Sequence, residues 1–177
     1  ETELLPLRRQ ERLLGYCWVF HDVTDYKRRE TQLEALALTD ALTGASNRRA
    51  FITRMESELE HLRLGLSHPS ALIMLDIDHF KQFNDQYGHP LGDRVLQHVG
   101  QLLRDLLPPR GVAARYGGEE FCVILRDCFD LHSAHAFAEQ LRLKIQALRI
   151  KVRSTDKILD TVTASFGLAL ANNSDTF

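Results

Sequence analysis

The order of apolar and polar positions changes period several times along the chain. "GYCWVF" (Gly15–Phe20) is aromatic and apolar and predicts a strand. "YKRRETQLEALAL" follows as a helix, with Thr24 or Asp25 at its N-cap and Tyr26, Leu33 and Leu36 on a/d spacing for less than two heptads. The polar stretch "TDALTGASNRRAF" interrupts it. A second helix begins near Asn47 and carries Phe51, Met55, Leu59 and Leu62 on one apolar stripe. "SALIMLDID" (Ser70–Asp78) is a continuous apolar run ending in acids, the pattern of a central strand covered on both faces. A short helix, a Gly-Pro-Gly loop and a longer helix are expected next. Leu91, Val95, Leu96, Val99, Leu102 and Leu103 form the apolar face of the longer one.

After the turn "PPRG", "VAARY-GGEE-FCVIL" reads as a hairpin with Gly117 and Gly118 in its turn, a pair used where φ > 0 is required. "LHSAHAFAEQLRLKIQALRI" is a third amphipathic helix, and "DTVTASFGLAL" (Asp160–Leu170) is a last strand. Strand–helix alternation with one hairpin predicts an α/β fold, a central mixed sheet flanked by helices.

Composition narrows the function classes. The chain has 177 residues, 44% of them hydrophobic, with 22 basic against 24 acidic side chains. That is enough for a core and lacks the basic footprint of a nucleic-acid binder. No apolar run approaches the roughly 18 residues of a membrane helix, so no membrane contact is expected within this chain. Cys17, Cys122 and Cys128 have no metal-like spacing and read as reduced thiols of a cytoplasmic protein. The first residue is Glu1, and the chain is expected to be a piece of something longer, which leaves room for a membrane tether upstream.

The chemistry concentrates in two acidic clusters. Asp76 ends the central strand, and Asp78 lies two residues on. A hairpin alongside, roughly 5 Å away, brings Glu119 or Glu120 near Asp76. Carboxylates gathered there repel one another, and a divalent cation relieves that; hard oxygen ligands suit Mg²⁺ or Mn²⁺. Read separately, Glu119 and Glu120 are equally a solvated turn and Asp76 a helix cap. "HFKQFND" follows, where free backbone N–H groups at a helix start, with Lys81, favour phosphate. Asn84, His89 and Asp93 lie in or beside the Gly-rich loop. Asn and Asp together pair with a purine edge, a carboxylate suiting guanine; as isolated residues they are ordinary turn and cap residues.

The residues in order resemble a known family. "RYGGEEF" (Arg115–Phe121), "LDIDHFKQFNDQYGHPLGD" (Leu75–Asp93), "LTDALTGASNRR" (Leu38–Arg49) and "VTASFGLA" (Val162–Ala169) are similar to the motifs of the bacterial GGDEF diguanylate cyclases. The resemblance implies a sheet-and-helix fold related to nucleotidyl cyclases and polymerase palms. It implies condensation of two GTP into cyclic di-GMP with release of two pyrophosphates, by a homodimer with one GTP per domain. Mg²⁺ (or Mn²⁺) would be held by Asp76, Glu119 and the carbonyl of Ile77. Glu119 would also deprotonate the attacking hydroxyl, with Glu120, facing the other way or nearer solvent, as a secondary candidate. Lys81 and backbone amides near His79 and Phe80 would neutralise phosphate. Asn84 and Asp93 would hold the base, with His89 nearby, and Gly117 and Gly118 would let substrate approach the backbone.

The same resemblance divides the chain. Residues 1–24 are similar to the end of a PAS sensor, 25–42 to a signalling helix, and 39–177 to the catalytic domain. Two departures stand out. The family's Arg-x-x-Asp inhibition site corresponds to Pro108–Gly111 here, with neither the Arg nor the Asp in place, so no feedback through that site is expected. The family's usual C-terminal helix is not reached before Phe177, and a truncated catalytic domain is expected. The rival reading is a catalytically inactive relative that binds nucleotide and regulates a partner; Asp76, Lys81, Glu119 and Glu120 all standing favours the enzyme.

Overall fold

Two strands make up most of what is described of the chain's first unit, Glu1–Ala37. In the computed structural model, residues 2–9, 12–20, 22, 24, 38–149 and 161–172 are described. β1 (Thr2–Arg9) pairs antiparallel with β2 (Arg12–Phe20), from Thr2 opposite Phe20 to Arg9 opposite Arg12, with a register shift between Leu7 and Arg8. The sequence pattern predicted only Gly15–Phe20 of β2. β1 was masked by Pro6, which removes a ladder donor and lowers a strand reading. The ribbon is apolar on both faces. Leu4 faces Trp18 and Leu5 faces Cys17 across the ladder, while Trp18 is 61% exposed and Phe20 75%. Of the helix expected over 25–42, residues 25–37, with Tyr26, Leu33 and Leu36, lie outside the described residues, while Thr39 forms an antiparallel bridge with Ser46 and 41–43 form a turn. Just before the expected helix, the Asp22 carboxylate accepts the Thr24 N–H at 2.9 Å.

The second unit, Leu38–Phe177, carries a five-stranded mixed sheet in the order β3-β5-β6-β4-β7. Its elements are β3 (Ser46–Asn47), α1 (Arg48–Arg63), β4 (Ser70–Ile77), α2 (Phe80–Tyr87), α3 (His89–Leu106), β5 (Val112–Arg115), β6 (Glu120–Leu125), α4 (Leu131–Gln146) and β7 (Ala164–Ala171). β3 runs parallel to β5, and every other neighbour pair is antiparallel. Local chemistry sets the helix starts. The Asn47 side chain accepts the Ala50 N–H at 3.0 Å to cap α1, and Asp130 accepts that of Ser133 at 2.7 Å to cap α4.

Alternation along β4 divides the core. Ile73, Leu75 and Ile77 turn to one face and are buried with Phe121, Val123, Val95, Val99, Leu103, Leu141 and Ile145, beneath α3 and α4. The opposite face is thinner. Ala114, Cys122 and Ile124 bury against Phe51 of α1, with Met55 and Leu72 at the margin. β4 is central, between β6 and β7, but it is not covered on both faces as its sequence predicts: Met74 remains 43% exposed. Among the described elements α1 packs on this side mainly over β3 and β5, and it reaches β4 through Glu58, which accepts the Ser70 hydroxyl. β7 begins at Ala164, four residues later than the sequence suggests.

Candidate active site

The end of β4 organises the site. Sheet register sets Asp76 directly opposite Glu120 of β6 and opposite Ser165 of β7. Directly opposed residues share a face, with Cβ atoms about 4.5–5.5 Å apart. Asp76 and Glu120 are both exposed, so two carboxylates reach the same solvent volume. Glu120 is thus nearer solvent, as expected, but on the face of Asp76 rather than turned away from it. The strand pleat fixes this, because Glu120 belongs to the ladder. Glu119 lies one residue earlier, half-buried in the turn, where its carbonyl accepts the Ile77 N–H at 3.4 Å.

The turn itself closes through Glu120. Its carbonyl accepts the N–H of Tyr116 at 2.8 Å and of Gly117 at 3.2 Å. Neither Gly117 nor Gly118 has the positive φ that the hairpin pattern implies. A Cβ at Gly117 would meet the Glu120 carboxylate, whose Cδ would lie 3.2 Å away, so a side chain there would displace that carboxylate. At Gly118 nothing stands within 4 Å of that position, leaving the backbone open to a ligand.

An arginine braces the turn. Arg115 donates to the Gly118 carbonyl from Nε at 3.0 Å and from a terminal nitrogen at 2.7 Å. Its other nitrogen reaches both Asp40 oxygens at 3.3 and 3.4 Å. Asp40 also accepts the Thr43 N–H at 2.9 Å and the Thr43 hydroxyl at 2.7 Å. Burial pushes the Asp40 carboxyl up, but the Thr43 and Arg115 contacts outweigh it and hold it below the ordinary carboxylate value. Neither residue was singled out from sequence. Both lie inside the motifs "LTDALTG" and "RYGGEEF", yet no spacing rule joins residues 75 apart. Tyr116 is held in turn by α1, edge-on to Phe51 at 6.0 Å and beneath the Arg48 guanidinium at 4.7 Å.

On the other side of Asp76, the chain leaves β4 through Asp78 and His79. Asp78 points to β7, accepting the Thr163 hydroxyl at 2.7 Å and the Ser165 hydroxyl at 2.6 Å. These two hydrogen bonds, Ser165 first, hold its carboxyl below the usual range. His79 adopts the left-handed region (φ 57°), which costs a residue with a Cβ about 1–2 kcal/mol. Phe80 is buried, and Lys81 is exposed in the first turn of α2, where backbone N–H groups have no helical acceptor.

The nucleotide-base candidates occupy helices, not a loop. Gly88 alone (φ 84°) joins α2 to α3, since Pro90 suits the first turn of a helix and starts α3 at once. Asn84 sits on α2, while His89 and Asp93 are exposed in the first turns of α3. Gly92 is buried against Asn84, whose Oδ1 is buried without a hydrogen-bond partner.

The donor set fits a divalent cation. Asp76 and Glu120 oppose each other, Glu119 adjoins them, and all three offer hard oxygens. Among the described residues no three His, Cys, Asp or Glu side chains converge to hold a metal by themselves, and the hydroxyls of β7 already engage Asp78. Phosphate and backbone oxygens would complete such a site, as Mg²⁺ commonly requires.

The mixed sheet flanked by helices, with Asp76 and Glu120 opposed at its open end, is the α/β architecture of solved GGDEF domains. The family model described as "Diguanylate cyclase, GGDEF domain" matches residues 37–177. The chain belongs to this family. It is 40% identical over 147 residues to the diguanylate cyclase VdcA of Vibrio cholerae, covering 83% of this chain and 42% of that protein. It is 38% identical over 144 residues to the cyclic di-GMP phosphodiesterase NbdA of Pseudomonas aeruginosa, covering 80% of this chain and 17% of that one. The chain therefore spans less than half the length of either relative. Among solved structures, the coiled coil and GGDEF domain of DgcB from Caulobacter crescentus in complex with c-di-GMP superposes with a TM-score of 0.81 at 32% identity, covering 88% of this chain and 80% of that one.

Proposed function

We propose that this chain condenses two molecules of GTP into cyclic di-GMP, releasing two pyrophosphates, when two copies meet with their sites face to face. The observation that carries this reading is the register of Asp76 with Glu120 at the open end of β4. In each half-reaction the 3′-hydroxyl oxygen of one GTP attacks the α-phosphorus of the other. The new P–O bond forms as the α–β bridge breaks, and pyrophosphate leaves with the bond's electron pair. Glu119 takes the hydroxyl proton. A divalent cation, when bound by Asp76, Glu119 and the Ile77 carbonyl with Glu120 beside them, supplies charge neutralisation at the phosphates. Lys81 and the amides near His79 and Phe80 neutralise the remaining phosphate charge, so that catalysis is mostly positioning. Asn84 and Asp93 hold the guanine edge, with His89 nearby. The joining of α2 to α3 by Gly88 alone supports this grouping, because it keeps Asn84 on one helix near His89 and Asp93 in the first turns of the next.

Residues 1–24 are read as the tail of a PAS-like sensor acting in cis, and 25–42 as the helix that relays its state. Among the described residues no helix is long and apolar enough to cross a membrane. A cytoplasmic location is part of the same proposal.

A second reading has one observation in its favour: a relative 38% identical over 144 residues carries the name of a phosphodiesterase. The chain would then bind GTP as a regulatory module without turnover. Incubating it with GTP and Mg²⁺, with Glu119→Ala alongside, and identifying products by mass spectrometry decides between them. Cyclic di-GMP from the parent and none from the variant is expected. Nucleotide binding without product favours the regulatory module.

A further inference from the structure

We infer that Asp78 is a positioning residue that fixes the backbone on which phosphate and cation binding depend, an inference that rests on the proposed function. It has no role in the reaction as proposed above, and its carboxylate is not free to act there. One oxygen accepts the Thr163 hydroxyl at 2.7 Å and the other the Ser165 hydroxyl at 2.6 Å. Its own N–H donates to the Thr163 carbonyl at 3.0 Å. Three hydrogen bonds thus tie one residue to a single stretch of the neighbouring strand, one step past the last ladder pair, Ile77 opposite Ala164.

The location gives the anchor its meaning. Immediately before it stand Asp76 and Ile77, the proposed cation ligands. Immediately after it His79 turns left-handed with no side-chain hydrogen bond to cap α2, and the helix begins at Phe80. A residue with a Cβ holds that conformation only where its surroundings over-determine it. On the helix side the His79 carbonyl accepts the Phe83 N–H at 3.0 Å, and Phe80 is buried. On the strand side the restraint is the Asp78 clamp. Its loss leaves the left-handed turn held from one end, so the amides at the start of α2 and the Ile77 carbonyl can drift. A displacement of about 1 Å in such groups costs far more in rate than in stability.

The test uses the whole chain as Asp78→Ala, Asp78→Asn and the double variant Thr163→Val/Ser165→Ala. Asn keeps an acceptor for one hydroxyl and removes the charge. The expected result for Asp78→Ala is a rise of about tenfold in KM for GTP and in the Mg²⁺ concentration for half-maximal rate. Asp78→Asn should recover most of that rise, and the double variant should reproduce it. Hydrogen exchange followed by mass spectrometry should show faster exchange confined to peptides spanning residues 77–83, with α4 unchanged. Unchanged KM and unchanged exchange in Asp78→Ala would overturn the inference, as would loosening spread evenly over the domain. A parent that makes no cyclic di-GMP counts against the proposed reaction, whereas the local exchange comparison decides on the anchor whatever the parent's turnover.

Discussion

The Oδ1 of Asn84 occupies the space that a Cβ on Gly92 would need, with the Phe80 ring edge only 3.1 Å from the same point. Two helices, α2 and α3, are joined by Gly88 alone, and this close approach is how the second is kept against the first. In Gly92→Ala, helix propensity alone would stabilise the chain by about 1 kcal/mol. The collision outweighs it locally by expelling the Asn84 side chain. The expected outcome is a KM for GTP raised about tenfold with a thermal midpoint near the parent's. A raised midpoint with unchanged KM would separate Asn84 from base binding.

Arg115 spans Asp40 and the Gly118 carbonyl, with side chains 18% and 22% exposed in the ion pair. The pair is largely shielded from solvent, and an exchange that keeps the positive charge keeps much of its energy, so what the arginine adds is geometric. Lysine carries the charge but not the planar fork that serves two acceptors at once. Arg115→Lys should therefore lower turnover about tenfold while shifting the denaturation free energy by less than about 1 kcal/mol. Steady-state kinetics and urea unfolding of the same preparation check both halves.

Glu58 is buried in α1, paired with Arg126 and accepting the Ser70 hydroxyl at 3.0 Å. Glu58→Ala leaves a largely buried guanidinium without its partner and should cost about 3 kcal/mol. Removing both charges, as Glu58→Leu with Arg126→Met, should cost less than the single change. Chemical denaturation of the three proteins tests this; equal losses would mean that packing, not charge, dominates.

Burial first, and then the charge of Glu120, push the Cys122 thiol up to about 11. Little thiolate forms at pH 8, and Cys128 is buried as well. Iodoacetamide should modify Cys17, the half-exposed thiol of β2, well before the other two. Peptide mapping at intervals, with and without denaturant, reads the order.

Asp40 and Asp78 both have folded pKa values below their unfolded ones. Their contribution to stability is therefore fully present above the ordinary carboxylate pKa of about 3.9, and it is lost as pH falls through the lowered folded values. Asp78→Asn should flatten the acid arm of the stability profile and leave its shape above pH 5 unchanged. Thermal midpoints from pH 3 to 7 provide the comparison.

Much of this molecule was decided locally and is legible in residue order. Asn47 and Asp130 cap helices because short polar side chains reach N–H groups three residues on. The apolar runs Ser70–Ile77 and Phe121–Leu125 are strands because each is too short and too apolar for anything but the interior of a sheet. The motif order, through the family resemblance, pointed to Asp76, Glu119 and Glu120 as one candidate site. Tertiary structure decided which acid faces which. Register is a property of two strands, and a shift of one residue would have set Glu119 rather than Glu120 opposite Asp76. It also decided that Gly92 is needed for space rather than for backbone freedom, since only packing brings Asn84 and Phe80 against it. The bond from Asp40 to Arg115, and the one from Asp78 to Thr163 and Ser165, close loops of 75 and more residues. No sequence period encodes such contacts. They exist because the sheet brings distant strand ends together, where an unpaired carboxylate must find a donor.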